Sequence, residues 1–158
     1  MAIYKKFRTF ASAKEKKDMI ATVENMTEKF KEYNSLYFED KLPMPKLEVM
    51  HTYKISGYFI CDPVKKGRIK HKKIYMTDNF DFTDEMYRNV LVHEMIHYYI
   101  AYNNIKDDDA HGVEFMKMAD KLNREYGLSI TKDIDASSFK RNEKASKLSW
   151  FFVKLFGC

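Results

Sequence analysis

Leu91-Val92-His93-Glu94-Met95-Ile96-His97 sets two imidazoles four residues apart, with a carboxylate directly after the first. On an α-helix, residues i and i+4 share a face, with Cβ atoms about 5–6 Å apart. Two histidine nitrogens at that spacing can meet one Zn²⁺ at about 2.0–2.1 Å. Glu94 lies about 100° round the helix from His93, within reach of a water on such a metal. Met86, Val90, Leu91, Met95 and Ile96 are apolar and Tyr98 and Tyr99 follow, which predicts a buried helix. The competing reading is a helix whose two histidines simply pack in a core or face solvent.

A catalytic zinc usually keeps three protein ligands and one open position. The histidines are His51, His71, His93, His97 and His111. From His97 the helix can continue to about Asn103, roughly 9 Å along its axis. The polar connection from Asn104 to Ala110 can span up to about 23 Å, enough to turn back and present His111. Gly112 would let the backbone pass close beside the site. Glu114 is the rival third ligand. A glycine and a third histidine inside the active-helix segment itself are absent, because those places hold Ile100 and Asn103.

The chain resembles the SprT-like zinc metallopeptidase family, which includes Spartan-type proteases acting on proteins crosslinked to DNA. The resemblance rests on Asn34-Ser35-Leu36-Tyr37-Phe38, on Leu42-Pro43-Met44-Pro45 and on Gly57 in an extended segment. It continues through Leu91 to His97 and the block His111-Gly112-Val113-Glu114-Phe115, covering roughly residues 20 to 126. It implies that His93, His97 and His111 bind one Zn²⁺ per chain and that Glu94 is the catalytic base. Many bacterial relatives carry a cysteine-rich zinc ribbon after this core. Here the last stretch runs Trp150-Phe151-Phe152-Val153-Lys154-Leu155-Phe156-Gly157-Cys158, with a single cysteine.

A chain of 158 residues suits one domain, and 45% hydrophobic with 32% charged residues is the balance of a globular protein. Met1 to Lys17 is basic without the apolar core of a signal peptide, and no run reaches the roughly 18 apolar residues of a membrane span. Cys61 and Cys158 form no metal-type pair, so a reducing, cytoplasmic setting is expected. The chain is expected to be a monomer. A net charge of +5 permits nucleic-acid contact without demanding it.

Along the chain, residues 1–13 read as a basic lead-in. A helix is expected from about Lys14 to Asp40, with Ile20, Val23, Met26, Phe30, Tyr33 and Tyr37 on one stripe. Pro43 and Pro45 end it, and strands are expected over Lys46–Thr52, Ile55–Cys61 and Lys70–Thr77. Thr83 is a helix cap ahead of Asp84 and Glu85, and Gly127 closes a helix from about Gly112 to Tyr126. Residues 129–158 read as an extension of uncertain structure. Its apolar end is either an element docked on the core or the start of a further module.

Between the second and third strands lies Lys65-Lys66-Gly67-Arg68-Ile69-Lys70-His71-Lys72-Lys73, with six Lys or Arg in nine residues. Lys65, Lys66, Arg68, Lys72 and Lys73 could contact phosphates. A solvated hairpin whose lysines blunt a sheet edge is the simpler reading, because stacking aromatics are missing from the stretch. Asp107-Asp108-Asp109 is read as a cap for the following helix. Tyr98, Tyr99 and Tyr102 are read as packing residues that could also lend a hydroxyl to an oxyanion. His51 and His71 are read as structural.

Taken together, these features predict an α+β, zincin-like fold. A small antiparallel sheet would pack with an N-terminal helix, the active helix and a following helix, forming a core over residues 1–128. The expected activity is that of a metalloendopeptidase on protein or peptide substrates, DNA-associated ones included. An extended substrate would add to the strand around Ile74-Tyr75-Met76-Thr77. Two other classes stand beside it. One is a DNA-associated binding module with a closed, structural zinc site completed by Glu114 or a cysteine. The other is a zinc hydrolase acting on a bond other than a peptide.

Overall fold

The computed structural model describes residues 18–63, 65 and 67–142. Helix α1 spans Val23–Phe38, strands β1 to β4 span Lys46–Met50, Gly57–Ile60, Lys73–Thr77 and Phe80–Asp81, and helix α2 spans Asp84–Tyr102. Helix α3 spans Val113–Tyr126, and strand β5 spans Lys140–Arg141 after a 3₁₀ turn at Ala136–Ser138. The fold is α+β. Among the described residues, no helix is long and apolar enough to cross a membrane.

Helix α1 begins later than the apolar stripe suggests. Thr22 caps it: its hydroxyl accepts from Asn25 N at 3.2 Å while Asn25 Oδ1 accepts from Thr22 N at 3.0 Å. This reciprocal capping box is a strong start signal. The residues before it run extended, and Met19 exchanges two backbone hydrogen bonds with Phe82 at 2.7 and 2.8 Å. Ile20 and Val23 are accordingly exposed, while Met26, Phe30 and Tyr33 are buried. Residues 14–17 and the basic lead-in lie outside the described residues. The helix ends where Glu39 and Asp40 take positive φ, and Asn34 then clamps Leu42, donating to its carbonyl at 2.9 Å and accepting from its N–H at 3.1 Å.

The main sheet is mixed rather than antiparallel. Its order is β1-β3-β2, with β1 parallel and β2 antiparallel to β3. Alternation along a strand fixes which face is buried but says nothing about its neighbours. Ile74 and Met76 are fully buried against the helices, while Lys73 and Tyr75 point outward. With β3 in the middle, both of its edges are taken, so an extended substrate cannot pair at Ile74–Thr77. The second sheet, β4 with β5, ties Phe80–Asp81 to Lys140–Arg141.

Helix α2 is the buried axis of the molecule. Thr83 caps it by accepting from Met86 N at 3.2 Å, and its buried face includes Val90, Leu91, Val92, Met95, Ile96 and Tyr98. Tyr98 donates its hydroxyl to the Pro43 carbonyl at 2.7 Å, so this tyrosine packs and anchors. Tyr99 packs at a tilt against Phe38, with ring centroids 5.8 Å apart, and Tyr102 lies at the surface. The chain stays on the core beyond Tyr126. Gly127 takes a left-handed φ of 67°, and Leu128 and Ile130 are buried. The polar run after Leu128 thus carries apolar anchors at both ends of a strap, with Phe139 packed against Phe80 and Phe82. The apolar terminal run of residues 149–156 lies outside the described residues.

Gly57 brings β2 hard against α2. A Cβ there would meet Val90 Cγ1 at 3.0 Å, the Tyr75 carbonyl at 3.1 Å and Glu94 Cγ at 3.3 Å. Gly57→Ala is expected to lower unfolding stability by about 1–3 kcal/mol through overpacking. Urea denaturation followed by circular dichroism checks this, and an unchanged midpoint would contradict the close approach.

Candidate metal centre

His93 and His97 project from one face of α2, as their spacing requires, and the loop after Tyr102 returns His111 to the same point. The three Nε2 atoms are mutually 3.0, 3.1 and 3.2 Å apart. Tetrahedral zinc with arms of about 2.0–2.1 Å separates its ligand atoms by about 3.3 Å, so the triangle has the size of one face of such a site. Phe115 supports all three rings, with centroids 4.7–4.8 Å away. His93 donates from Nδ1 to the Thr131 carbonyl at 3.1 Å. A carbonyl can only accept, so Nδ1 carries the proton and the lone pair of Nε2 faces the other two histidines. Burial, together with the neighbouring imidazoles, pushes the His93 pKa down to about 3. Burial and His111 push His97 down to about 4. Both therefore stay neutral and available as donors. The donor set fits a divalent zinc-type ion.

Among the described residues, no other His, Cys, Asp or Glu joins this cluster. Glu114, the rival third ligand, instead pairs with Lys117 at 2.6 Å near the surface. Cys61 is a free thiol outside the cleft that the three histidines line.

The loop that delivers His111 is fixed from Asp107. Its Oδ1 accepts from Glu114 N at 3.2 Å and its Oδ2 from Phe115 N at 2.9 Å, so Asp107 caps α3 from outside the helix. Gly112, the N-cap residue, makes no side-chain cap bond of its own. A Cβ at Gly112 would overlap Asp107 Oδ1. The glycine is required by this cap, rather than by passage of the backbone beside the metal site.

Glu94 is 3% exposed and faces the same cleft. Burial raises its carboxyl to about 8, partly opposed by the backbone N–H of Phe59. The cleft has a volume of about 490 Å³. It is lined by Lys54 to Phe59, by Lys132 to Ile134, and by His93, Glu94, His97 and His111. Neither the Phe59 amide nor the Thr131 carbonyl has a side-chain signature by which the sequence could have disclosed it.

The remaining candidates lie elsewhere. His51 pairs with Asp78 at 2.8 Å and His71 with Asp62 at 2.6 Å, both at the surface and away from the cluster. Lys65 and Arg68 bridge across a turn closed by Gly67 at φ 71°. Lys66 lies outside the described residues. Lys72 stands over the Tyr102 ring at 5.9 Å and Lys73 over Tyr75 at 6.0 Å.

His111→Ala is expected to abolish zinc retention, while His51→Ala keeps it. Plasma mass spectrometry of the purified proteins reads both. Equal zinc in the two variants would remove His111 from the site.

A search of curated proteins returned no match. The profile of the SprT-like family matches residues 26–134, which takes in most of α1, the mixed sheet, α2, α3 and the first part of the strap. With well over half of its length matched by that profile, the chain belongs to the SprT-like family.

Proposed function

We propose that the chain is a zinc-dependent metalloendopeptidase of the zincin type that hydrolyses peptide bonds with Glu94 as general base. The observation that carries this reading is the triangle of imidazoles beside a buried carboxylate, all lining one cleft. His93, His97 and His111 would hold the ion. Bound there, zinc supplies Lewis acidity and positive charge, polarising a carbonyl, acidifying water and drawing the Glu94 carboxyl towards its ionised form.

Glu94 then takes the proton of the attacking water and returns it to the leaving amine. Its burial keeps competing solvent from the carboxylate, and the Phe59 N–H holds it in place. The outer edge of β2, not β3, would receive the substrate. Gly57 to Phe59 line the cleft, and among the described strands β2 pairs only with β3. Backbone pairing of that kind reads extended shape more than side chains, which suits a protease of loose sequence preference. Among the described residues the cluster holds three histidines and no fourth protein ligand, which favours this reading over a closed structural site; Cys158 lies outside the described residues.

Glu94→Gln is expected to keep zinc and fold while losing about 10²–10⁴-fold in cleavage rate on an unfolded protein substrate. Zinc content, melting temperature and a gel-based cleavage assay are read together. Near wild-type cleavage by this variant would exclude the mechanism. Turnover of esters but never of peptides by the parent protein would instead favour a different hydrolase.

Contact with DNA is a second reading, and the observation favouring it is aromatic. Tyr58 and Tyr75 stack across β2 and β3 with centroids 4.8 Å apart, beside Lys73, while Tyr102 lies under Lys72. The basic hairpin thus adjoins rings able to stack bases, contributed by other parts of the chain. The protein substrates would then be DNA-associated. Replacing Lys65, Lys66, Arg68, Lys72 and Lys73 by Ser should weaken binding of single-stranded DNA and flatten its salt dependence. Fluorescence anisotropy at two salt concentrations tests this, and absence of binding by the parent chain at low salt would leave the hairpin a solvated turn.

A further inference from the structure

We infer that Asn123, on α3, is a positioning residue for the metal centre, acting through the strap and the Thr131 carbonyl on His93. The inference rests on the reading of His93, His97 and His111 as ligands. Asn123 Nδ2 donates to the Ile130 carbonyl at 2.8 Å, and Ile130 N donates to Asn123 Oδ1 at 2.8 Å. One carboxamide therefore satisfies both backbone groups of a single residue. Its orientation is unambiguous, because turning the amide would set donor against donor and acceptor against acceptor.

The next carbonyl along the chain, that of Thr131, accepts from His93 Nδ1. Ile130 is buried and fixes the depth of the strap, while the side chain of Asn123 fixes its peptide plane. The neighbouring links of the strap are weaker or internal. Ser129 N reaches Asn89 Oδ1 at 3.4 Å, and Thr131 Oγ1 donates to Asp133 O within the strap itself. Thr131 and Lys132 are exposed, so little packing would hold the carbonyl in place if the clamp were lost.

The consequence is chemical. A histidine with no fixed acceptor at Nδ1 samples both neutral tautomers, and one of them places a proton on Nε2, where a metal needs a lone pair. Partners that orient a ligating histidine are typically worth about 10–100-fold in metal affinity. Asn123 touches neither metal nor substrate on this account. Its effect passes entirely through one peptide carbonyl.

Asn34 provides a matched control, because it clamps Leu42 with the same pair of hydrogen bonds on α1 and lines no part of the cleft. The test is zinc affinity by competition with a chromophoric chelator for the parent chain, Asn123→Ala and Asn34→Ala, with melting temperatures of the zinc-free forms. Zinc affinity is expected to fall about 10–100-fold in Asn123→Ala and to change less than about twofold in Asn34→Ala, even if both lose stability. Long-range ¹H–¹⁵N spectra of the imidazoles in the zinc-free proteins should show His93 as the single Nδ1–H tautomer in the parent and as a mixture in Asn123→Ala. If Asn123→Ala does not fold, Asn123→Ser, whose hydroxyl can replace one of the two bonds, should show a smaller loss of the same sign. Parent-like affinity and an unmixed tautomer in the folded Asn123 variant would overturn the inference while leaving the metal site intact. No zinc binding by the parent chain would overturn the metal reading and this inference with it.

Discussion

Each of the three Nε2 atoms carries either a proton or a lone pair, so at least two of them must be alike. With all three mutually within 3.2 Å, like must face like somewhere in the triangle. In a partly buried setting that is an unfavourable arrangement without a cation between the rings, and the Thr131 carbonyl commits His93 to presenting its lone pair. The surroundings follow from this constraint. Burial keeps His93 and His97 neutral, Phe115 backs all three rings, and Asp107 ties down the loop that brings His111 home. Zinc-type chemistry needs donors already aimed and uncharged, and the fold supplies both.

Much of the site could be read from the residues because it is local. The i, i+4 geometry of α2 makes His93 and His97 converge whatever else the chain does, and the length of the polar loop allowed His111 to return. The caps at Thr83 and Gly127 were equally plain, being set by nearby backbone groups. The sheet was less legible. The residue pattern marked Lys70–Thr77 as a strand, but β3 lies between β1 and β2, and β1 runs parallel to it. Strand order arises from long-range pairing that no single strand encodes. The start of α1 was signalled by Thr22 and Asn25, yet the apolar stripe running back to Ile20 concealed it.

What escaped the sequence most fully is made of backbone. The Phe59 N–H beside Glu94 and the Thr131 carbonyl behind His93 are contributed by residues whose side chains have no part in those contacts. Polar character without periodicity after Leu128 left the structure of the extension undefined. Instead the buried Leu128 and Ile130, with the clamp from Asn123, make the segment up to Asn142 part of the same packed body. The aromatic partners of the basic hairpin were hidden for a similar reason: Tyr58, Tyr75 and Tyr102 come from β2, β3 and the end of α2. Proximity in the fold, rather than in the chain, assembles them.

The difference between a catalytic and a structural zinc site lies in the fourth ligand. X-ray absorption at the zinc edge of the loaded protein reads it directly. A catalytic site should show three imidazole nitrogens and one further oxygen scatterer at about 2.0–2.1 Å, with the oxygen replaced on adding a hydroxamate. Sulfur in the coordination sphere, or four protein ligands and no response to the hydroxamate, would contradict it.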